Sequence, residues 1–448
     1  MPVHPFPNAS AGAADGLEFS RDWAQSGVMA LTGQRGGPPV LPPGSAATLA
    51  RRLSTYIDAA GALGGRPVRL DGAKLLSERA AFTGHRPSGR ISLGGTCRLL
   101  PTADGWAAVS CAREDDPSLL GALVEQKLGD DPWPEVSGWL LRHLGRELAE
   151  RAELLGIAAA PLAEPGDSGA GPWLDHTVFS RPPRPVADLL VVDFSSLWAG
   201  PLCAHLLSLA GARVVKVETP QRPDGARRGN AEFYRLLHAG HASVVLDPET
   251  PGGRAALARL VEQADIVIEA SRPRALARFG LDADAAAAAG RTWISITANG
   301  RASDRVGFGD DVAAGSGLVA VDPGGLPLFV GDALADPLTG LAAAALAMTA
   351  PVAGRGILHD VAMSRVVAST LPAAPRVESA GAGYPIESKY PGAVRTAVVR
   401  TAAGRWLLDT GSGSYPIEEP AGRKVVGDAP ASGADTATVL RSLGIGVP

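Results

Sequence analysis

LLVVDFSSLWAGPLCAHLLSLAGARVVKVETP, residues 189–220, is the stretch from which the fold can be read. Leu189 to Val192 is a short apolar run closed by Asp193, the pattern of a strand buried on both faces. Ala199-Gly200-Pro201 then turns the chain into an apolar helical segment, LCAHLLSLAG, that ends at Gly211. RVVKVE, from Arg213 to Glu218, follows as a second strand. Strand, turn, helix and strand within about thirty residues is the size of a βαβ crossover. Downstream the pattern repeats. Ser243 to Asp247 (SVVLD) is a third strand, and a helix opens near Pro251 (PGGRAALARLVEQAD). Ile266 to Glu269 is a fourth strand and Trp293 to Ile296 a fifth. Strands alternating with helices predict an α/β fold with a doubly wound, Rossmann-like parallel sheet.

Upstream of this unit the text changes. PGDSGAGPWLDHTVFSRPPRP, about 165–185, carries linker punctuation, and the main boundary is placed there. Residues 1–17 read as a flexible tail. Between them the pattern predicts a helix around 45–62, turn-rich strands from 90 to 111 and one long amphipathic helical region from 134 to 156. This block shares text with the second half of the chain. Trp23 to Ala30 followed by Gly36-Gly37-Pro38-Pro39 echoes Ala314 to Ala320 followed by Gly324-Gly325-Leu326-Pro327. CRLLPTADGWAAV, 97–109, echoes VRTAVVRTAAGRWLL, 394–408.

The 448 residues, 46% hydrophobic and 20% charged, suffice for two domains with a buried core. A formal charge of -4 and no basic stripe with interleaved aromatics argue against nucleic acid as a partner. Cys97, Cys111 and Cys203 show neither disulfide nor metal-ligand spacing and read as buried thiols in a reducing compartment. No apolar run reaches the roughly 18 residues of a spanning helix, and the start shows no basic segment followed by an apolar one. The expectation is a cytoplasmic protein without a membrane partner.

In a parallel sheet ligands lie outside the carboxyl ends of the strands. That selects Ser195 to Pro201, Glu218 to Arg228 and Glu269 to Arg274. The first turn is not GxGxxG, so the dinucleotide fingerprint fails. Arg222, Arg227 and Arg228 after the second strand, and Arg272, Arg274 and Arg278 after the fourth, suit phosphate oxygens through paired hydrogen bonds.

The order AGP, VKVE, LD, PGG, ADIVIE, RP and RFGL, continued through SITANG, DDVAAGSGLVAV, GDALADPLTGLAAAALAM and GRGILHDVAMS, resembles the class III CoA-transferases. That family contains formyl-CoA and carnitine CoA-transferases and the α-methylacyl-CoA racemases. The resemblance covers about 186–370 and implies a large domain at 186–372, with 373–448 as a short C-terminal extension returning to it. It places the family's nucleophilic aspartate at Asp336. A carboxylate there can attack a thioester carbonyl to give a mixed anhydride, then an aspartyl-CoA thioester. No tightly bound cofactor or metal is implied; coenzyme A enters as substrate, together with acyl-CoA and a carboxylic acid. ADPLTGLAAA equally reads as an N-cap Asp with Pro at the first helical position, and the two roles are compatible.

For CoA the resemblance implicates Trp198, Ala199, Leu246, Asp247, Ala270, Ser271, Arg272 and Arg278, with Arg278 meeting phosphate. The chain departs from the family at several points. Trp198 stands where a smaller or polar residue is usual and would narrow the pocket. Thr219 replaces an arginine, so Arg222 or Arg227 would substitute. DDVAAGSG is about two residues short, and GAGYPIES and GSGSYP are weak counterparts of a glycine-rich shielding loop. The racemases need a His immediately before an Asp in the stretch matching Asp310-Asp311, and none is there; His205, His238, His241 and His359 read as structural. The block 18–164 resembles the later part of a second, degenerate family copy, with Ala46 or Ala47 where Asp336 would fall, and is expected to supply a small α+β domain. The family's intertwined pairing implies a homodimer. The expected activity is CoA transfer, the alternatives a racemase or isomerase and a non-catalytic CoA-binding partner subunit.

Overall fold

A computed structural model describes residues 13–163, 173–271, 273–351, 355–372, 396–411 and 413–448. The elements that position the site, in chain order, are helices α1 (Ala46–Leu63) and α2 (Glu78–Thr83) and strands β1 (Cys97–Pro101), β2 (Trp106–Ser110) and β3 (Ala159–Pro161). The second half brings β4 (Leu190–Asp193), α3 (Ala199–Leu209), β5 (Arg213–Glu218), α4 (Ala231–His238), β6 (Ala242–Val245), α5 (Pro251–Gln263), β7 (Ile266–Glu269) and β8 (Thr292–Thr297). It continues with α6 (Gly309–Gly315), β9 (Val319–Val321), β10 (Pro327–Phe329), α7 (Ala335–Ala347), β11 (Ile357–Ala362), β12 (Ala397–Arg400), β13 (Trp406–Asp409) and β14 (Ser414–Pro416).

Six strands form one parallel sheet in the order β11-β8-β7-β4-β5-β6. The strand order turns back between β4 and β7, which makes their carboxyl ends the topological switch point. Leu190, Val191 and Val192 are all buried, as an uninterrupted apolar run requires when helices cover both faces. One face packs on α5, through Leu257 and Leu260. The other carries α3 and α7. From Ala335 to Ala347 only Asp336 keeps any appreciable exposure, and the run of small side chains lets α7 approach α3 closely. A β-carbon on Gly340 would stand 2.7 Å from the Ala199 carbonyl oxygen and 3.0 Å from Leu202 Cβ.

The N-terminal block is joined to this core on the same side. Trp23, Leu53, Tyr56 and Ile57 share one continuous apolar cluster with α3 and α7. A second, separate cluster lies under the antiparallel sheet β1-β2-β3 and the helices Trp133–Leu140 and Gly145–Leu155. Those two helices replace the single one predicted for 134–156. Gly145 N–H is taken by Asp104 and Leu144 N–H by Glu147, which start a new helix there. A helix Ala13–Gln25 begins inside the stretch read as a tail. Residues 173–185, half of the predicted linker, have packing of their own: Leu174 and Val178 are buried and Arg184 bonds Ala347 O and Thr292. Both members of the internal echo form antiparallel hairpins that close on a tryptophan, β1-β2 at Trp106 and β12-β13 at Trp406. Among the described residues no helix is long and apolar enough to cross a membrane.

Candidate active site

The switch point is built around Asp193, the buried last residue of β4. Its Oδ1 accepts from the Ser195 N–H at 2.8 Å and from the Ser195 hydroxyl. Beneath the same loop Lys216 of β5, 2% exposed, donates from Nζ to the Ser195 carbonyl at 2.8 Å and pairs with Asp224 at 2.8 Å. Asp224 Oδ1 in turn accepts from the Leu197 N–H at 3.0 Å. The clamp holds Leu197 at φ 69°, a left-handed conformation that costs a non-glycine residue about 1–2 kcal/mol. Leu197 is 44% exposed, so an apolar side chain is presented at the lip of the crevice. Next to it Trp198 is 2% exposed. The indole lies edge-on to Phe233, centroids 5.4 Å apart, with the Arg79 guanidinium 4.5 Å over its face. The tryptophan expected to narrow a pocket is packed into the interior, and the residue left at the tip is Leu197.

The other residues predicted for CoA are spread along the strand ends. Ala199 opens α3 and is buried. Leu246 is buried, while Asp247 beside it is partly exposed and accepts from Glu249 N–H and Gln221 Nε2. Ala270 and Ser271 follow β7 across the crevice from Ser195, and the Ser271 hydroxyl is buried with no hydrogen-bond partner. Arg278 and Arg222 are exposed; Arg272 lies outside the described residues, as does GAGYPIES. Of the two arginines considered for the missing family position, Arg227 is committed to Glu218, at 2.6 Å, which leaves Arg222 open. Of GSGSYP, Ser414 to Pro416 form β14.

Asp336 stands in the first turn of α7, whose cap position is Leu334; the N-cap reading therefore fails by two residues. The reason is local. Asp310 Oδ1 accepts from the Ala333 N–H at 2.9 Å, which bends Ala333 to φ 46° and starts the helix ahead of Asp336. The Asp336 carboxylate is thereby freed from capping. It accepts no hydrogen bond among the described residues and lies against the first residue of α6, where a β-carbon on Gly309 would meet Oδ2 at 2.7 Å. Gly340, one turn along and on the same face of α7, touches Ala199, so the carboxylate stands roughly 6 Å along the helix axis from the switch-point loop.

Around it, among the described residues, are three more carboxylates and the Arg79 guanidinium. Fully buried Asp332 is gripped by Arg79 of α2, through Nε at 2.8 Å and Nη2 at 2.5 Å. Asp311 accepts from the Ser110 hydroxyl of β2 at 2.8 Å and from the Phe308 N–H at 3.0 Å. Burial pushes the Asp336 carboxyl up to about 7; Arg79 opposes this, and Asp310, Asp311 and Asp332 add to it. Burial also lifts Asp311 to about 7 and Asp310 to about 6. Asp311 further lines a cleft of about 280 Å³ between β3 and α6, with Arg305, Asn299 and Ser364 on its walls.

The four histidines are elsewhere. His205, His238, His241 and His359 are buried, and burial depresses the pKa of each. Phe308 occupies the position just before α6. Among the described residues no group of three or more His, Cys, Asp or Glu could hold a metal ion.

The sequence model of CoA-transferase family III matches residues 186–412, just over half of the chain. The chain belongs to CoA-transferase family III. A succinyl-CoA–D-citramalate CoA-transferase of Chloroflexus aurantiacus is 31% identical over 199 residues, 40% of this chain and 50% of the relative. A succinate–glutarate CoA-transferase of Agrobacterium fabrum is 30% identical over 211 residues, 42% of this chain and 53% of the relative. A CAIB/BAIF family protein from Brucella suis, a solved structure, is 30% identical over 42% of this chain and 55% of its own, with a TM-score of 0.38. This family III chain spans about half the length of the curated relatives it matches. Asp336 and the switch point fall inside the family segment; Arg79 and Ser110 fall before it. Leu197 and Asp224 lie inside the strand-end loops that the sequence selected, though neither was given a role; Lys216 and Arg79 were missed. Lys216 had a signal, a lysine between valines in a strand buried on both faces. For Arg79 there was none.

Proposed function

We propose that this chain moves CoA between an acyl-CoA and a free carboxylic acid, with Asp336 as the nucleophile. The Asp336 oxygen attacks the thioester carbonyl; the C–S bond breaks, CoA leaves as thiolate, and an acyl-aspartyl anhydride remains. The thiolate attacks the aspartyl carbonyl, releases the first acid as carboxylate and leaves an aspartyl-CoA thioester. The acceptor carboxylate then attacks that thioester and expels CoA thiolate. The thiolate takes the new acyl group from the resulting anhydride and restores Asp336. Every step exchanges one leaving group for another, so no proton or electron is left over.

The observation that carries this reading is the Asp336 carboxylate: partly open, accepting no hydrogen bond among the described residues, and set at the N-terminus of a 13-residue helix that favours its anion. Support for CoA as the occupant comes from the strand-end loops around Ser195 and Ala270, with Leu197 against the pantetheine and Arg222 and Arg278 toward phosphate. The N-terminal block takes the place of a small domain, on the evidence that Arg79 and Ser110 close over the aspartates. The family's racemases pair a His with the Asp that follows it, and at the stretch matching Asp310-Asp311 the preceding residue is Gly309, which speaks against α-carbon isomerisation.

Incubation with acyl-CoA and hydroxylamine, followed by peptide mass spectrometry, tests the mechanism. A hydroxamate is expected at Asp336, and Asp336→Asn is expected to lose it together with at least about 10³-fold of the transfer rate. Turnover with Asp336 unmodified defeats the proposal.

A further inference from the structure

Helix α2, in the N-terminal block, makes one contact after another with the second half of the chain. Glu78 forms a two-point ion pair with Arg423, which also reaches His205 of α3 at 3.0 Å. Arg79 holds Asp332, four residues before Asp336, through two guanidinium nitrogens and covers the Trp198 indole with its face. Phe82 packs on Phe233, itself edge-on to Trp198, and its carbonyl accepts from Asn230. A single guanidinium thus touches both the loop at the switch point and the acidic residue leading into the nucleophile's helix. Fork geometry and a flat face are the two properties that distinguish arginine from lysine, and both are in use.

We propose that Arg79 is a positioning residue of the Asp336 centre, supplied by the N-terminal block, that locks Asp332 and the Trp198 loop on either side of the nucleophile. The proposal deepens the reading of Asp336 as nucleophile and rests on it for its catalytic meaning, though not for its physical test. The groups facing Asp336 are Arg79 from α2, Asp310 and Asp311 from α6, and Asp332 from the turn before α7. Among these described groups Arg79 is the cation. Its loss leaves four carboxylates to repel one another, so the Asp336 proton is held to higher pH. Loss of the Asp332 charge acts in the opposite direction. A residue that served only to hold the fold would not give shifts of opposite sign.

The full-length protein is treated with a water-soluble carbodiimide and a labelled amine across pH 5 to 9, and labelling at Asp336 is followed by peptide mass spectrometry. Carbodiimide consumes the protonated carboxyl, so labelling falls with rising pH and its midpoint reports the Asp336 titration without any turnover. Arg79→Gln should raise the midpoint by about one pH unit or more, Asp332→Asn should lower it, and Arg79→Lys should fall between wild type and Arg79→Gln. Circular dichroism identifies which variants are folded; should Arg79→Gln fail to fold, the Asp332→Asn and Arg79→Lys midpoints decide. Equal midpoints in the folded variants, or shifts of the same sign for Arg79→Gln and Asp332→Asn, overturn the proposal. A protein that labels as expected but yields no hydroxamate with acyl-CoA would refute the transferase reading and leave the Arg79 assignment standing.

Discussion

Lys216 shows how much one buried charge can organise. It stands between Val215 and Val217 in the sequence of a central strand but projects from the opposite face, and its ammonium is spent on two partners, the Ser195 carbonyl and Asp224. Those partners set the height of the β4 loop and the left-handed turn at Leu197. Replacement by an apolar residue leaves Asp224 as an unpaired buried charge, which costs far more than the net worth of the pair. Lys216→Met is expected to lose roughly 3–5 kcal/mol in urea unfolding. Lys216→Met combined with Asp224→Leu should recover part of that stability while still leaving the Ser195 loop unanchored. If CoA rests on that loop, the double variant shows a raised KM for acyl-CoA with stability largely restored. Unchanged KM would mean that the loop carries no part of the ligand.

At the scale of elements, α7 and α3 meet through small residues rather than large ones. The Gly340 contact with Ala199 sits one turn from Asp336, so helix spacing is also what sets the distance from that carboxylate to the crevice. Gly340→Ala pushes a methyl group to within 2.7 Å of a backbone oxygen that cannot swing away. A loss of about 1–3 kcal/mol is expected by thermal or urea unfolding, with a fall in transfer rate beyond what the unfolded fraction explains. This element was easy to see in the sequence, and so was the sheet. LLVVD, RVVKVE and IVIE announce themselves because a strand covered on both faces must be apolar throughout. Asp336 was singled out through its motif as the candidate nucleophile. What stayed hidden is long-range. Nothing local to Arg79 indicates a partner 253 residues away, and nothing in AGP tells that Trp198 would turn inward against that arginine. The break between the helices Trp133–Leu140 and Gly145–Leu155 was missed for the same reason: Asp104, on a distant turn, takes the Gly145 N–H.

Across the whole molecule, the family segment and the block before it meet over an acidic patch that their closure creates. Ser110 of β2 and Arg79 of α2 come from one side, Asp310, Asp311, Asp332 and Asp336 from the other. Folding therefore takes Asp311 and Asp332 out of water, and Asp311 moves from 3.8 to about 7. The folded chain keeps a proton on this group that the unfolded chain has already lost. Its contribution to stability is complete below about pH 4 and is lost as the pH climbs through 7. The buried histidines act in reverse: their depressed pKa values cost stability as the pH falls below about 6.5. A simple melting curve against pH would mix the two, so the useful quantity is the difference between wild type and Asp311→Asn. Oδ1 of Asp311 accepts both the Phe308 N–H and the Ser110 hydroxyl, and an asparagine carbonyl can keep both bonds. The variant should match wild type near pH 4 and gain on it steadily above pH 5. By pH 8 the gain should be on the order of 4 kcal/mol, seen as a melting temperature several degrees higher. A difference that stays flat from pH 4 to 8 would mean that closure of the two halves does not bury that carboxyl.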